Sequence, residues 1–224
     1  MKKILIIVSH PDDEILGCGG TIYKHASKKD KVYVYFTHEG SSARFIDPNN
    51  PEVLLEIKKR SDIATNLAKK FKYKIIGFGD NRNLYPNQVD VIKSIRKISK
   101  IINSIKPDII YTHFNNDMNP DHNLTHNNVI SACRPINFLV KEIYLMEIPS
   151  STEWKHSNNI FAPNLFININ IKQKLKMIEY YKSELRKNPH PRSKNKIKAL
   201  AMYRGAQAGL NYAESFMIYR KIIS

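Results

Sequence analysis

Between residues 9 and 15 the chain reads SHPDDEI, which sets one imidazole, His10, beside three carboxyls, Asp12, Asp13 and Glu14. Acids this close repel one another unless a cation sits among them or one keeps its proton, so the cluster calls for a metal. Zinc in a catalytic site takes three protein ligands and leaves a fourth position for water or substrate. His10 and one of Asp12 or Asp13 could supply two ligands. The third is expected to be an imidazole from the polar stretch 113–126, which holds His113, His122 and His126. The aspartate left off the metal would then stand beside the attacking water as its general base. A further polar group, Gly79-Asp80-Asn81-Arg82-Asn83, follows another apolar run.

These residues need elements that bring them together. Ile4 to Val8 is a short, β-branched apolar run, as expected of a parallel strand covered on both faces, and it delivers the His10 to Glu14 turn. Further strands are expected at 31–37, 73–78, 108–112, 142–148 and 164–169. Helices are expected at 14–28, 51–71, 89–105, up to about 133, 172–186 and 193–208. The first half thus alternates strand and helix, which implies a Rossmann-like, doubly wound, mainly parallel α/β sheet flanked by helices. A smaller C-terminal strand and helix extension completes it. In such sheets sites lie beyond the carboxyl ends of the strands, so the three polar loops would share one rim. The expected organisation is one domain, with a βα core at 1–135 carrying the metal site and a part at 136–224 completing the substrate pocket.

Composition narrows the classes. The apolar fraction of 42% is that of a globular protein, and no window approaches the roughly 18 apolar residues of a spanning helix. The opening MKKILIIVSHPDDE imitates a signal peptide, but its apolar run is too short and ends in charges, so it reads as the first strand of a cytoplasmic protein without stable membrane insertion. Cys18 and Cys133 lack metal-like spacing and are expected to be packed free thiols. The net charge of +16 favours anionic partners, but the lysines are scattered. Without a helix-turn-helix, zinc-finger or aromatic RNA-binding pattern, nucleic acid is not an expected partner. The Gly17-Cys18-Gly19-Gly20 patch is not a dinucleotide loop, because its glycines fall inside the helix and the preceding turn would repel a pyrophosphate.

HPDDE followed by ILGCGGTI, and later NPDHNLTH, resembles the PIG-L/LmbE-like family of zinc-dependent de-N-acetylases. The resemblance takes in FGDNR at 78–82, THFNNDMNPDH, ACRP, PSSTEW, NPHPRS and YRGAQAGLNYAESF, and so nearly the whole chain. It implies that His10, Asp13 and His122 bind one Zn2+ per chain, or another divalent metal such as Fe2+, and that Asp12 is the general base. His122 and His126, four apart, could share a helix face as a pair of ligands; the expectation is His122 on the metal and His126 packed around it, with His113 lining the pocket. The resemblance places Arg60 and Asp80 where members bind the sugar, with Arg82 and Arg192 also expected at the substrate. Many members carry a histidine three residues before the metal-binding one; here that position is Asn119, and His190 is the expected substitute. Asn119 and His190 are thus the candidates for stabilising the oxyanion. Glu14 is expected to cap the helix that follows it, or else to hydrogen-bond one of the ligands.

The function implied is hydrolytic removal of the N-acetyl group from a small N-acetylated amino sugar or sugar conjugate, with an anionic portion such as a phosphate or nucleotide, by a protein that could form homo-oligomers. Two alternatives stand beside it: an amidase or deformylase acting on another N-acyl amine, because the ligand set does not read the acyl group, and a non-catalytic carbohydrate-binding relative. Each site residue also has a plain structural reading. Asp12 or Asp13 could simply cap a helix, Asp80 and Arg82 could form a surface turn, Arg60 could be an exposed helix residue, and His190 and Arg192 could belong to a rigid turn.

Overall fold

The computed structural model describes every residue except Pro48, Asn83, Tyr85, Pro86, Gln88, Asn137, Ser157 and Ser224; Asn83 of the polar group at 79–83 therefore lies outside the described residues. In chain order the elements are β1 (Lys3–Val8), α1 (Asp13–Ser27), β2 (Lys31–His38), α2 (Pro51–Phe71), β3 (Lys74–Asn81), α3 (Val91–Ile105), β4 (Ile109–His113), α4 (Pro120–Ala132), β5 (Glu142–Met146), β6 (Leu165–Asn168), α5 (Ile171–Ile178), α6 (Lys194–Ala206) and β7 (Ala213–Lys221). The sheet runs β3-β2-β1-β4-β5-β7-β6. Its first five strands are parallel, and β7 lies antiparallel between β5 and β6.

The apolar run of β1 follows from its central place. Ile4, Ile6 and Val8 enter one core with Ile15, Ile22, Met177 and Tyr181, while Leu5 and Ile7 enter the opposite core with Ile98, Ile102 and Val129. Both faces are covered, so every position must be apolar. The helices begin where side-chain oxygens can catch free amides: Asn50, Asp90, Asn119, Asn170 and Ser193 each cap the helix that follows.

The expected α/β sheet is present, with three local differences. No strand is expected from the sequence at 213–221, because the buried Glu214 and Ser215 interrupt its apolar alternation; β7 nonetheless pairs on both sides. The expected helix at 172–186 is α5 followed by a 3-10 stretch, Glu179–Glu184, that bends at Tyr181. α1 is bent at Cys18 (φ −143°, ψ 27°). The amides freed there, of Gly20 and Thr21, donate to the Glu214 carboxylate at 2.8 and 2.7 Å, and Lys174 neutralises that carboxylate at 2.6 Å. A side chain at residue 20 would put its Cβ 2.7 Å from Ile169, so the bend packs against the sheet only with glycine there.

Candidate metal centre and active site

In the strand order, β1 and β4 are neighbours whose following helices, α1 and α4, pack on opposite faces of the sheet. That is the switch point where a crevice opens beyond the carboxyl ends. His10 and Asp13 arrive there from the β1 turn and His122 from the first turn of α4. All three are buried, and each offers a ligand atom within 4.8 Å of the others. Asp13 Oδ2 stands 3.3 Å from His10 Nδ1, 3.3 Å from His122 Nε2 and 3.5 Å from His113 Nε2.

The arrangement fits a divalent cation. Asp13 Oδ1 and His122 Nε2 are buried without a hydrogen-bond partner, a costly state unless something else engages them. Positive charge is also wanted here. Burial alone would discharge His122, yet Asp13 and Asp117 raise its pKa to about 10, and against the same burial His122 and His10 hold Asp13 well below the usual carboxylate range. Two imidazoles and a carboxylate are the donor set zinc accepts.

Further carboxylates orient the rings. Asp121 Oδ2 lies 2.9 Å from His10 Nε2 and also accepts the Leu84 amide at 2.8 Å, leaving His10 Nδ1 toward Asp13. Asp117 Oδ1 stands 3.0 Å from His122 Nδ1, and Ser151 and Thr152 donate to the Asp117 carboxylate. His113 accepts the Ser9 amide at 2.8 Å through Nε2 and stacks on His122 with centroids 4.0 Å apart, while His126 Nδ1 meets the His113 carbonyl at 2.9 Å. His113 and His126 are thus packed around the group. His38, at the end of β2, stands 3.7 Å from Asp121 Oδ1.

Asp12 stands outside the His-Asp-His group. Its backbone is strained, with φ 134°, and is held there by its amide donating to Glu14 Oε2 at 2.9 Å. Glu14 thus holds the Asp12 amide just outside α1 rather than an amide of the helix itself, and its other oxygen accepts from Tyr181 at 2.8 Å. Burial pushes the Glu14 carboxyl up to about 8. The Asp12 carboxylate is flanked by two guanidiniums, Arg60 Nη2 at 3.3 Å from Oδ1 and Arg192 Nη1 at 3.2 Å from Oδ2. Burial raises its pKa to about 6, opposed by Arg60 and Arg192 and assisted by Asp13 and Glu184.

Arg60 is no exposed helix residue. Only 4% exposed, it donates to the carbonyls of Pro11 (2.6 Å) and Gly40, tying the loops after β1 and β2 together. Gly40 accepts this contact at φ +79°. Arg192 reaches Asp12 from the turn before α6, anchored by Ser150 Oγ at 2.7 Å. His190 is half-buried in the same turn; its Nδ1 accepts the Arg192 amide at 3.0 Å, and its ring meets the Trp154 ring edge-on. Asn119 caps α4, its side-chain oxygen taking the Asp121 amide at 2.9 Å. Asp80 and Arg82 are not brought to Asp12 or the metal group. Asp80 is 84% exposed against Lys93, and Arg82 donates to Asn49; both line a separate groove of about 480 Å³ beside α3. Residues not singled out from sequence are Arg44 and Glu184. They meet at 2.8 Å, and Glu184 also approaches Arg192 and Arg60. Nothing local to either marks them; only the fold brings them to the site.

An α/β sheet with a His-Asp-His group and a separate, guanidinium-flanked aspartate at its carboxyl edge defines a candidate hydrolytic metal centre. The sequence profile of the PIG-L family, GlcNAc-PI de-N-acetylase, matches residues 5–133, and the chain belongs to that family. It is accordingly an enzyme of a family described as a de-N-acetylase family. It is 25% identical over 222 residues to diacetylchitobiose deacetylase of Thermococcus kodakarensis, covering 96% of this chain and 82% of that one. In fold it resembles GalB, the 4-carboxy-2-hydroxymuconate hydratase of Pseudomonas putida KT2440, with TM-score 0.78, 20% identity and coverage of 100% and 98%. It also resembles the zinc-inhibited form of teicoplanin deacetylase Orf2, with TM-score 0.73, 17% identity and coverage of 96% and 97%. Among the described residues no helix is long and apolar enough to cross a membrane.

Proposed function

We propose that the protein is a zinc-dependent hydrolase that removes the N-acetyl group from a small N-acetylated amino sugar or sugar conjugate. The observation that carries this reading is the division of labour in DD of HPDDE: Asp13 converges with His10 and His122, while Asp12, one residue away, turns from them toward Arg60 and Arg192. His10, Asp13 and His122 are the residues that would hold the ion. A divalent cation there supplies Lewis acidity, polarising the acyl carbonyl and making water acidic enough to lose a proton near neutral pH.

The protein's own groups do the rest. Asp12, kept available as a carboxylate by its two guanidiniums, takes the proton of the attacking water. His190 is assigned to the oxyanion and then the leaving nitrogen. Its Nδ1 accepts the Arg192 amide, so the neutral ring carries its proton on Nε2. Desolvation, then the charges of Arg192 and Arg186, lower its pKa and favour that neutral donor. Asn119 serves this step less directly, through the α4 terminus that presents His122. The net charge of +16 supports a substrate with an anionic portion. Two buried free thiols accord with a cytoplasmic location.

The test is acetate release from a panel of N-acetylated amino sugars, before and after removal of metal with a chelator and after readdition of Zn2+. Activity lost on chelation and restored by the ion is expected. Turnover indifferent to chelation sinks the reading, and preference for formyl or other acyl analogues in kcat/KM replaces the acetyl group in it.

A further inference from the structure

Arg44, Glu184 and Arg192 lie outside the HPDDE and PDH motifs, yet they form one cluster with Asp12. Arg44 ends the 3-10 turn Ser42–Arg44 that follows β2, Glu184 ends the 3-10 stretch after α5, and Arg192 precedes α6. Glu184 Oε2 takes Arg44 Nη2 at 2.8 Å and stands 3.6 Å from Arg192 Nη1; that same Arg192 nitrogen reaches Asp12 Oδ2 at 3.2 Å, and Arg60 closes the row on Asp12 Oδ1. The row holds the guanidiniums of Arg44, Arg192 and Arg60 but only the carboxylates of Glu184 and Asp12. One positive charge is left over.

The surplus does not sit on Arg60, which is buried and occupied by two backbone carbonyls. It sits on Arg44 and Arg192, whose side chains are 41% and 20% exposed, while the Glu184 between them is 3% exposed. A surface ion pair would leave both partners in water. Here a buried carboxylate is spent on aiming two guanidiniums. Each guanidinium carries five N–H donors. Among the described residues Arg44 uses only Nη2, and Arg192 uses Nε and Nη1, which leaves Nε and Nη1 of Arg44 and Nη2 of Arg192 to donate elsewhere. Planar forks of this kind match the oxygens of phosphate or carboxylate groups, which ammonium groups bind only as point charges.

We propose that Arg44 and Arg192, braced by Glu184, form an oxyanion-binding clamp that selects substrates carrying a phosphate or carboxylate group near the acylated nitrogen. The proposal rests on the deacetylase reading for its placement beside the reacting amide, but its binding can be measured without turnover. The clamp makes Arg44 a specificity-determining residue. It also explains why this part of the positive charge is arginine while most of the excess is scattered lysine.

The test compares kcat/KM for a neutral N-acetylamino sugar, its phosphate monoester and its uronic acid in the wild type, Arg44→Gln, Arg44→Lys and the exposed control Arg96→Gln. Titration calorimetry with the corresponding free amines runs in parallel. The wild type is expected to prefer one anionic substrate at least tenfold, and the phosphate and uronate arms say which. Arg44→Gln should lower that preference about tenfold, Arg44→Lys by less, and Arg96→Gln not at all. If no sugar is turned over but Arg44→Gln alone weakens binding of the anionic amine tenfold, the clamp stands and the deacetylase reading falls. If neutral and anionic sugars are turned over alike, or Arg96→Gln costs as much as Arg44→Gln, the clamp is overturned and the deacetylase reading stands. Equal binding of all three amines by the wild type, without turnover, overturns both.

Discussion

Replacing Arg60 with methionine separates two roles that its position allows. The family resemblance assigns this arginine to the sugar, whereas its surroundings make it a brace. Arg60 is 4% exposed, and its guanidinium donates to the carbonyls of Pro11 and Gly40 and lies 3.3 Å from the Asp12 carboxylate. Methionine keeps the length of the stem but leaves two buried carbonyls and half of a buried ion pair without their partner. Breaking such a pair from one side costs about 3–5 kcal/mol. Asp12 retains Arg192 at 3.2 Å, so the lower end, about 3 kcal/mol, is expected. In a chain of this size that lowers Tm by about 6–12 °C. The loop carrying Asp12 is also released, and misplacement by an ångström costs kcat on the order of 100-fold. The assay is thermal melting by circular dichroism, with kcat, KM and bound metal measured on the same preparations below the variant's Tm. Brace and catalyst predict a fall in Tm and kcat with modest change in KM. A Tm within about 2 °C of wild type with KM alone raised would refute the argument and return Arg60 to the substrate.

Asp12→Asn should bind metal as the wild type does while kcat falls by roughly 100-fold to 10,000-fold, read by metal analysis alongside acetate release; loss of the metal instead would make Asp12 a ligand. Asp121→Asn removes the carboxylate held 2.9 Å from His10 Nε2, and metal affinity should fall about 10–100-fold in a chelator competition, with an unchanged affinity refuting the orienting role. Lys174→Met strands the buried Glu214 that caps the second half of α1, and a loss of about 3–5 kcal/mol in urea unfolding is expected; restoration by a second change, Glu214→Gln, would show that the stranded charge is the cause. Tyr181→Phe takes one donor from the buried Glu14, at a cost of about 1–3 kcal/mol in the same assay, and no change would mean that Glu14 needs no such partner.

The architecture of the first half and the residues of the candidate metal group were legible in the sequence. A helix or a two-face strand writes its period into residues that are neighbours in the chain. For that reason 51–71 is legible to the residue as α2, and β1 is legible from its unbroken apolar run. HPDDE is legible for a similar reason, because the repulsion of adjacent carboxyls is a local fact. Some side chains were legible as important without their roles being so. Arg60 reads as sugar-binding or as an exposed helix residue although the fold buries it, and Asp80 with Arg82 reads as part of the same rim as His10 although they line the groove beside α3. Asn119 stands where the family resemblance leads one to expect a histidine, and its oxygen proves to be occupied by the start of α4. Where these side chains lie came only with the fold, as did β7, the brace of Glu214 and Lys174 under the bent α1, and the meeting of Arg44, Glu184 and Arg192 at Asp12. These contacts join residues up to 194 positions apart. Their distances depend on the order in which strands lie in the sheet and on which charges the core leaves unpaired, neither of which has a local period to be read.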